Sequence, residues 1–481
     1  MAGLVTYGAY IPLHRLRRDD IARAWGSAPP GGERAVANSD EDPITMAQAA
    51  AIDCLGDIDR DSIDGVYLAT TSSPYKEKQA ATVVARSLNL RRDVATMDFT
   101  DTLRSGTLAL RAALDAVGAG SAQRVLVLAA DCRLGAPRSE FEQILGDGAA
   151  ALLVGGDDVA ATVEASHTHS NELIDLWRSS RDNFVNSWED RFVITEGFLL
   201  NMQEGVSQLL KKSELKVQDV TKAALYAPDA RRHREIAASL GLDPKTQVQD
   251  PMFDRVGNTG AAFALMLLVA ALEEAKDGDR ILVANYGDGA DSFILRATPQ
   301  IEKIKDRQGI RKNLASKRYL ASYETYITHR GLMDTEGQRR PPMVSSAPVL
   351  WRDQKWVLGL NGSHCQSCGR TFFPPQRICV HCRSKDNFDY VPLAGRKGTL
   401  FTFNKDALAL SADPPEIWCR VHLEGDVGVY CRMTDRDPDR VELEMPVEMT
   451  FRKFHDAGGY PNYFWKCRPT RESFIEAGEG I

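Results

Sequence analysis

The sequence predicts an α/β layered protein with a duplicated core, followed by a small antiparallel barrel. Three observations carry this expectation. Short β-rich apolar runs alternate with helical patterns up to Thr298, similar strings recur in the same order inside that region, and evenly spaced β-rich runs follow a cluster of cysteines.

The alternation places strands at Val66 to Ala69, Val94 to Phe99, Arg124 to Ala130, Ala149 to Val154, Ala223 to Ala227 and Arg280 to Tyr286. Helical spacing marks Thr45 to Leu55, Lys78 to Leu88, Gly106 to Val117, Arg231 to Leu240 and Gly260 to Ala275. The repeat runs Val66-Tyr67-Leu68-Ala69, Gly106-Thr107-Leu108-Ala109-Leu110, Arg124-Val125-Leu126-Val127 and Gly146-Asp147-Gly148-Ala149 in the first half. The second half answers with Ala224-Leu225-Tyr226-Ala227, Ala261-Ala262-Phe263-Ala264-Leu265, Arg280-Ile281-Leu282-Val283 and Gly287-Asp288-Gly289-Ala290. The shared order favours duplication over chance.

The stretch Met97 to Thr107 joins an apolar strand to a helix start, where free amide N–H groups can hold a developing oxyanion. At that turn the chain offers Leu103, which is no nucleophile.

At 481 residues the chain is long enough for about two to four domains. Its hydrophobic content of 43%, charged content of 26% and net charge of −7 are those of an ordinary soluble protein with no general affinity for nucleic acid or anionic membrane. The longest apolar run, Ala261 to Leu272, is shorter than the roughly 20 residues a membrane span needs. A brief apolar start followed by Arg15, Arg17 and Arg18 is unlike a signal peptide, so the expected location is cytoplasmic.

Beyond Gln300 a charged stretch from Glu302 to Lys317, then Arg339-Arg340-Pro341-Pro342 and Ser345-Ser346-Ala347-Pro348, reads as a partly extended, solvated linker over 301–348. Cys365-x2-Cys368 and Cys379-x2-Cys382 follow, two thiolate pairs on tight knuckles that can close a tetrahedron around structural zinc; rubredoxin-type iron or unrelated free thiols are the alternatives. His364 and His381 flank them as spectators. Runs at Thr399 to Phe403, Ile417 to Leu423, Val427 to Met433 and Val447 to Phe451 have the spacing of a small antiparallel barrel.

Cys365-Gln366-Ser367-Cys368-Gly369, Phe373-Pro374-Pro375, Gly398-Thr399-Leu400-Phe401-Thr402-Phe403 and Met445-Pro446-Val447 resemble the acyl-CoA-associated OB-fold family with its rubredoxin-like zinc ribbon. That resemblance implies a role at an acyl-CoA site. Ser73-Pro74-Tyr75, Asp175-Leu176-Trp177-Arg178, Val256-Gly257-Asn258-Thr259-Gly260 and Gly278 to Val283 resemble the hydroxymethylglutaryl-CoA synthase branch of the thiolase superfamily. Together the resemblances imply a five-layered thiolase-like domain over 1–300, a zinc ribbon over 349–390 and an OB-fold domain over 391–481. They also imply a homodimer and coenzyme A in a narrow tunnel.

In the resembled pattern the nucleophilic cysteine falls on Leu103, the catalytic glutamate on Thr71 and the catalytic histidine on Tyr226. A leucine forms no acyl-enzyme thioester, so covalent condensation is not expected. Asn258 falls where the family orients the thioester, the other reading being a plain turn residue. Arg231 falls where a cation can meet CoA phosphates, or is a solvated helix-start charge. Asp288 is a base in a dry pocket or a solvated turn residue. Tyr226 exchanges a proton with substrate or fills the histidine's space. Cys132 reads as a bystander. The expected function is carbon–carbon bond cleavage or formation, of retro-aldol or retro-Claisen type, on a β-hydroxy or β-keto acyl-CoA. The alternative is a non-catalytic acyl-CoA-binding or scaffold subunit for a partner enzyme.

Overall fold

The computed structural model describes residues 2–188, 190–333 and 343–476. Its first part contains two half-sheets of the same topology. The first half comprises β1 (Gly3–Tyr10), β2 (Gly65–Ala69), β3 (Ala95–Phe99), β4 (Arg124–Asp131) and β5 (Gly148–Gly155), in spatial order β1-β5-β4-β2-β3. The second comprises β6 (Ala161–Ser170), β7 (Lys222–Leu225), β8 (Arg280–Tyr286) and β9 (Gly289–Ala297), in order β6-β9-β8-β7. A parallel bridge from Ala223 to Val248 supplies the position equivalent to β3. In both halves the first two pairings are antiparallel and those that follow are parallel. Short antiparallel pairing of β1 with β6, Gly3 opposite Thr162, fuses the halves into one nine-stranded sheet. The duplicated order of the strings is therefore a duplicated order of strands.

Helices complete five layers. α1 (Pro43–Leu55) covers the outer face of the first half, α2 (Ser105–Gly118) and α4 (Phe263–Glu274) lie between the halves, and α3 (Leu200–Lys212) covers the second half. Local chemistry starts α1: Asp42 accepts a hydrogen bond from Thr45 N at 3.0 Å in a capping box, with Pro43 in the first turn. α4 is apolar all round, with every residue from Phe263 to Leu272 buried, as its central layer demands.

The charged stretch expected as a solvated linker is folded over its described part. Helices Gly309–Ala315 and Tyr323–His329 flank the short strand Arg318–Tyr319, and Leu320, Tyr323 and Tyr326 join Leu16, Ile21 and Val36 in a small core. Its charges mislead because they line the outer faces or pair, as Lys317 does with Glu33 at 2.9 Å. Arg339 to Pro342 lie outside the described residues. Ser345 to Pro348, read as linker, lead into helix Ala347–Val357.

A three-stranded ribbon of Asn361–Cys365, Thr371–Phe372 and Phe388–Pro392 precedes a closed barrel. Its strands are β10 (Gly398–Asp406), β11 (Glu416–Leu423), β12 (Val427–Met433), β13 (Pro446–Ala457) and β14 (Tyr460–Pro469). Alternation fills the interior: Ile417, Cys419, Val421 and Leu423 are buried, and Val427, Val429, Cys431 and Met433 answer from the next strand. The barrel sits on α1, and one contiguous apolar cluster runs from α1 into the barrel around Trp465. The loop Asn38 to Asp42 enters this contact, where Asp42, the α1 cap, also accepts the Tyr463 hydroxyl at 2.6 Å. No helix among the described residues is long and apolar enough to cross a membrane.

Candidate active site at the junction of the two halves

The strand-to-helix turn after β3 is built as its sequence suggests, and the second half holds it in place. Asn285 Nδ2, near the end of β8, donates to the Leu103 carbonyl at 3.1 Å. Arg104, 8% exposed, donates to the carbonyls of His169 at 2.8 Å and Asp288 at 3.0 Å. Gly287 makes this approach possible: its φ is 156°, and a Cβ there would stand 3.1 Å from Leu103 N and 2.9 Å from Thr102 Oγ1. Leu103 is buried hydrocarbon at the edge of the core.

Asp131, at the end of β4, anchors the loop that carries Thr71. Its Oδ1 accepts from Thr70 Oγ1, Thr71 N, Ser72 N and Ser72 Oγ, and its Oδ2 from Thr71 Oγ1 and Ala261 N, all at 2.7–3.0 Å. Arg178 donates to the Thr71 carbonyl from the opposite side. Thr71 is thus bonded through both its hydroxyl and its backbone.

Tyr226 lies one residue past β7, so the strand ends before the position expected and leaves the ring at the junction. It is 1% exposed and enclosed by Phe198, Phe263 and Tyr286, with ring centroids 5.6–6.4 Å away. Burial pushes its phenol above the ordinary tyrosine range, the nearby Arg133 charge opposing, so the group is a neutral phenol. The structure brings Asn258 to it. Asn258 Nδ2 donates to the Tyr226 hydroxyl at 3.4 Å and to the carbonyls of Ala227 and Pro228 at 3.2 Å, while its Oδ1 accepts from Gly260 N and Arg133 Nη2 at 2.9 Å. The amide is committed within the protein.

The other expected site residues stand further out. Asp288 is exposed on the β8–β9 turn at φ 48°, so the dry pocket expected around it is not there. Arg231 is exposed in the first turn of helix Ala230–Ser239, its N–H capped by Asp229 at 2.7 Å. Desolvation pushes the Cys132 thiol up to about 12, which makes it a thiol rather than a nucleophilic thiolate at neutral pH.

Asp175 was visible in the sequence only as part of a family string, yet it is a buried carboxyl at the site. Burial pushes it above the usual carboxylate range, against hydrogen bonds from the Tyr286 hydroxyl and from Leu176 N at 2.5 Å. Tyr286 is pushed up by burial and by that carboxylate. A buried carboxyl and two neutral phenols at the end of a strand-to-helix turn can hold and move a proton beside a carbonyl substrate.

In the ribbon, Cys365, Cys368, Cys379 and Cys382 place their sulfurs within 4.8 Å of one another. The Cys365–Cys382 and Cys368–Cys379 separations are 3.7 and 3.6 Å. A tetrahedron with Zn–S bonds of about 2.3 Å has edges near ~3.8 Å, so the tetrad fits structural zinc, with no position left for substrate. His364 bonds Thr371 at 3.0 Å, and His381 is exposed.

A duplicated five-layered α/β fold with a candidate site on a strand-to-helix turn between the halves defines a thiolase-superfamily protein. Residues 210–296 match the C-terminal model of 3-oxoacyl-[acyl-carrier-protein] synthase III, and residues 360–389 match the ChsH2 rubredoxin-like zinc ribbon. The hydroxymethylglutaryl-CoA synthase of Methanopyrus kandleri is 30% identical over 335 residues, covering 67% of this chain and 95% of its own length. That of Pyrococcus furiosus is 31% identical, covering 68% and 95%. A solved HMG-CoA synthase complexed with CoA shares the fold at a TM-score of 0.61 and 21% identity, over 68% of this chain and 89% of that one. The 3-oxoacyl synthase III of Aquifex aeolicus shares it at 0.55 and 23% identity, over 62% and 100%. The chain belongs to the hydroxymethylglutaryl-CoA synthase family, extended by a zinc ribbon and a barrel.

Proposed function

We propose that the protein makes or breaks a carbon–carbon bond β to an acyl-CoA carbonyl without a cysteine acyl-enzyme. The carrying observation is Leu103 at the turn that offers the family its nucleophile, together with a neutral, buried phenol at Tyr226. In the cleavage direction a base takes the β-hydroxyl proton, the Cα–Cβ bond breaks, and its electron pair passes into the thioester enolate, which is then protonated at carbon. Tyr226 donates a hydrogen bond to the developing oxyanion, and Asp175 replaces Asp288 as the proton-handling carboxyl because it is the buried one. Asn258 positions Tyr226, and Arg231 meets the CoA phosphates at the rim. On a β-keto substrate the same groups support direct attack by CoA thiolate.

In this reading residues 1–300 carry the chemistry, and the ribbon and the barrel over 391–481 border the CoA entrance. The exposed edge of β3, with Met97 44% exposed, pairs with a second copy in a homodimer. None of the nine cysteines is in a disulfide, which suits work in the cytoplasm.

The test uses the full chain alone with a panel of β-hydroxyacyl-CoA and β-ketoacyl-CoA thioesters, following CoA products and intact-protein mass. Cleavage with no acylated protein is expected, and Tyr226→Phe should lower it about a hundredfold. An acyl adduct on Cys132 or any other cysteine overturns the reading. So does failure to cleave any thioester, which would leave an acyl-CoA-binding subunit.

A further inference from the structure

A buried guanidinium in this site has no role yet. Arg133 follows β4 by two residues and is 5% exposed. Its Nη2 donates to Asn258 Oδ1 at 2.9 Å, and its Nε is buried with no acceptor. A buried charge is costly unless it is paired or fully hydrogen-bonded, and Arg133 is only partly so. Arg133 forms no ion pair among the described residues; Asp131 faces it across Gly260 but bonds the Thr70–Ser72 loop and Ala261 N instead. Gly260 allows the crowding: at φ 61°, a Cβ there would lie 2.4 Å from Asp131 Oδ2 and 2.7 Å from Arg133 Nε.

The direction of every hydrogen bond between Arg133 and Tyr226 follows from chemistry. Guanidinium and Gly260 N–H can only donate, so the Asn258 atom facing them is the oxygen. The carbonyls of Ala227 and Pro228 can only accept, so the atom facing them and the phenol is the NH2. The Tyr226 oxygen therefore accepts from Asn258. Its single proton is left to point elsewhere.

We propose that Arg133, acting through Asn258, is the positioning residue that fixes the Tyr226 phenol as a hydrogen-bond donor to the oxyanion of an acyl-CoA thioester. This rests on the function proposed above and deepens it. The cation orients the amide and polarises the chain Arg133–Asn258–Tyr226, favouring negative charge beyond the phenol. A neutral donor at position 133 would keep the amide in place but not its polarisation. The same positive charge opposes the upward push of burial on Tyr226.

The experiment places fluorotyrosine at position 226 of the full chain and follows its titration by 19F NMR in the parent, Arg133→Lys, Arg133→Gln and Arg133→Met. The proton uptake is read beside kcat and KM for the β-hydroxyacyl-CoA turned over best. Arg133→Gln and Arg133→Met should raise the phenol's titration by about one pH unit and lower kcat at least tenfold, with KM within threefold. Arg133→Lys should restore most of both. An unmoved titration in soluble Arg133→Gln overturns the proposal, as does a loss confined to KM. If Arg133→Met fails to fold, Arg133→Lys and Arg133→Gln still decide. If no thioester is cleaved but the titration moves, the catalytic reading falls and the coupling of Arg133 to Tyr226 stands. If Tyr226→Phe abolishes cleavage while the Arg133 variants leave titration and kcat unchanged, the reverse holds.

Discussion

Lys466 of the barrel and Asp40 of the N-terminal body meet at 2.8 Å with both side chains buried. Arg452 stands beside them, 3.4 Å from Asp40 and also paired with Glu41 and Asp435, while Arg468 reaches Asp435 at 3.5 Å. Burial alone would raise Asp40, but Lys466 and Arg452 outweigh it and hold the carboxyl below its usual range. Replacing Arg452 with Met leaves Glu41 without a cation and Asp40 and Asp435 with one each, Lys466 and Arg468, in a dry contact, at a cost of about 3–5 kcal/mol. Urea unfolding should show that loss, and limited proteolysis should release the barrel sooner. An Arg452→Met chain that unfolds like the parent would show that the Arg452 ion pairs do not hold the barrel.

Acid should loosen the same region through two histidines. His14 and His329 face each other with ring centroids 5.6 Å apart, close to Asp40, Asp435, Arg318 and Arg436. Burial, and for His14 the neighbouring His329, pushes them down to about 3 and about 4. Both folded-state values lie below the ordinary 6.5, so the unfolded chain binds protons first. Stability is full above pH ~6.5 and falls as pH drops towards ~4 for His329 and ~3 for His14, each residue contributing on the order of 3 kcal/mol. His329→Gln should flatten the decline in stability measured by denaturant titration between pH 7 and pH 4.5. A decline of unchanged slope would assign it to other groups.

Zinc removal should act locally. A strong chelator, or Cys379→Ser, is expected to release one zinc per chain and open the ribbon at 360–389 to protease, while the sheet of β1–β9 keeps its thermal transition within about 3 °C. Metal analysis and mass-mapped proteolysis check both outcomes. A protease-resistant ribbon after complete zinc loss would contradict a structural role.

The duplicated core was legible because its central strands and helices repeat compact apolar strings, and β8 has the ends that Arg280 and Tyr286 mark. The strands bordering the junction of the halves were not. β1 is buried along its whole length and shows no alternation, and β6, with the sequence Ala-Thr-Val-Glu-Ala-Ser-His-Thr-His-Ser, is too polar and half-exposed to stand out. At the site, the turn at Leu103 and the pair Tyr226 and Asn258 could be read because each sits in a recognisable string. Arg133 and Asp131 could not, since their partners Asn258 and Ala261 lie 125 and 130 residues away. Asp288 misled because a Gly-rich turn fixes the backbone and leaves the side chain's surroundings open.

The covalent join between the body and the barrel changes the rules for their contact. As separate chains, two surfaces meeting through buried charges would associate weakly and only at sufficient concentration, since desolvation consumes much of the attraction. On one chain the encounter is unimolecular, with a local concentration in the millimolar range for a short tether. Body and barrel are therefore present in equal number whatever the expression level, and dilution does not part them. The apolar patch and buried ion pairs of this seam need only hold a tethered barrel in place, not recruit a free one.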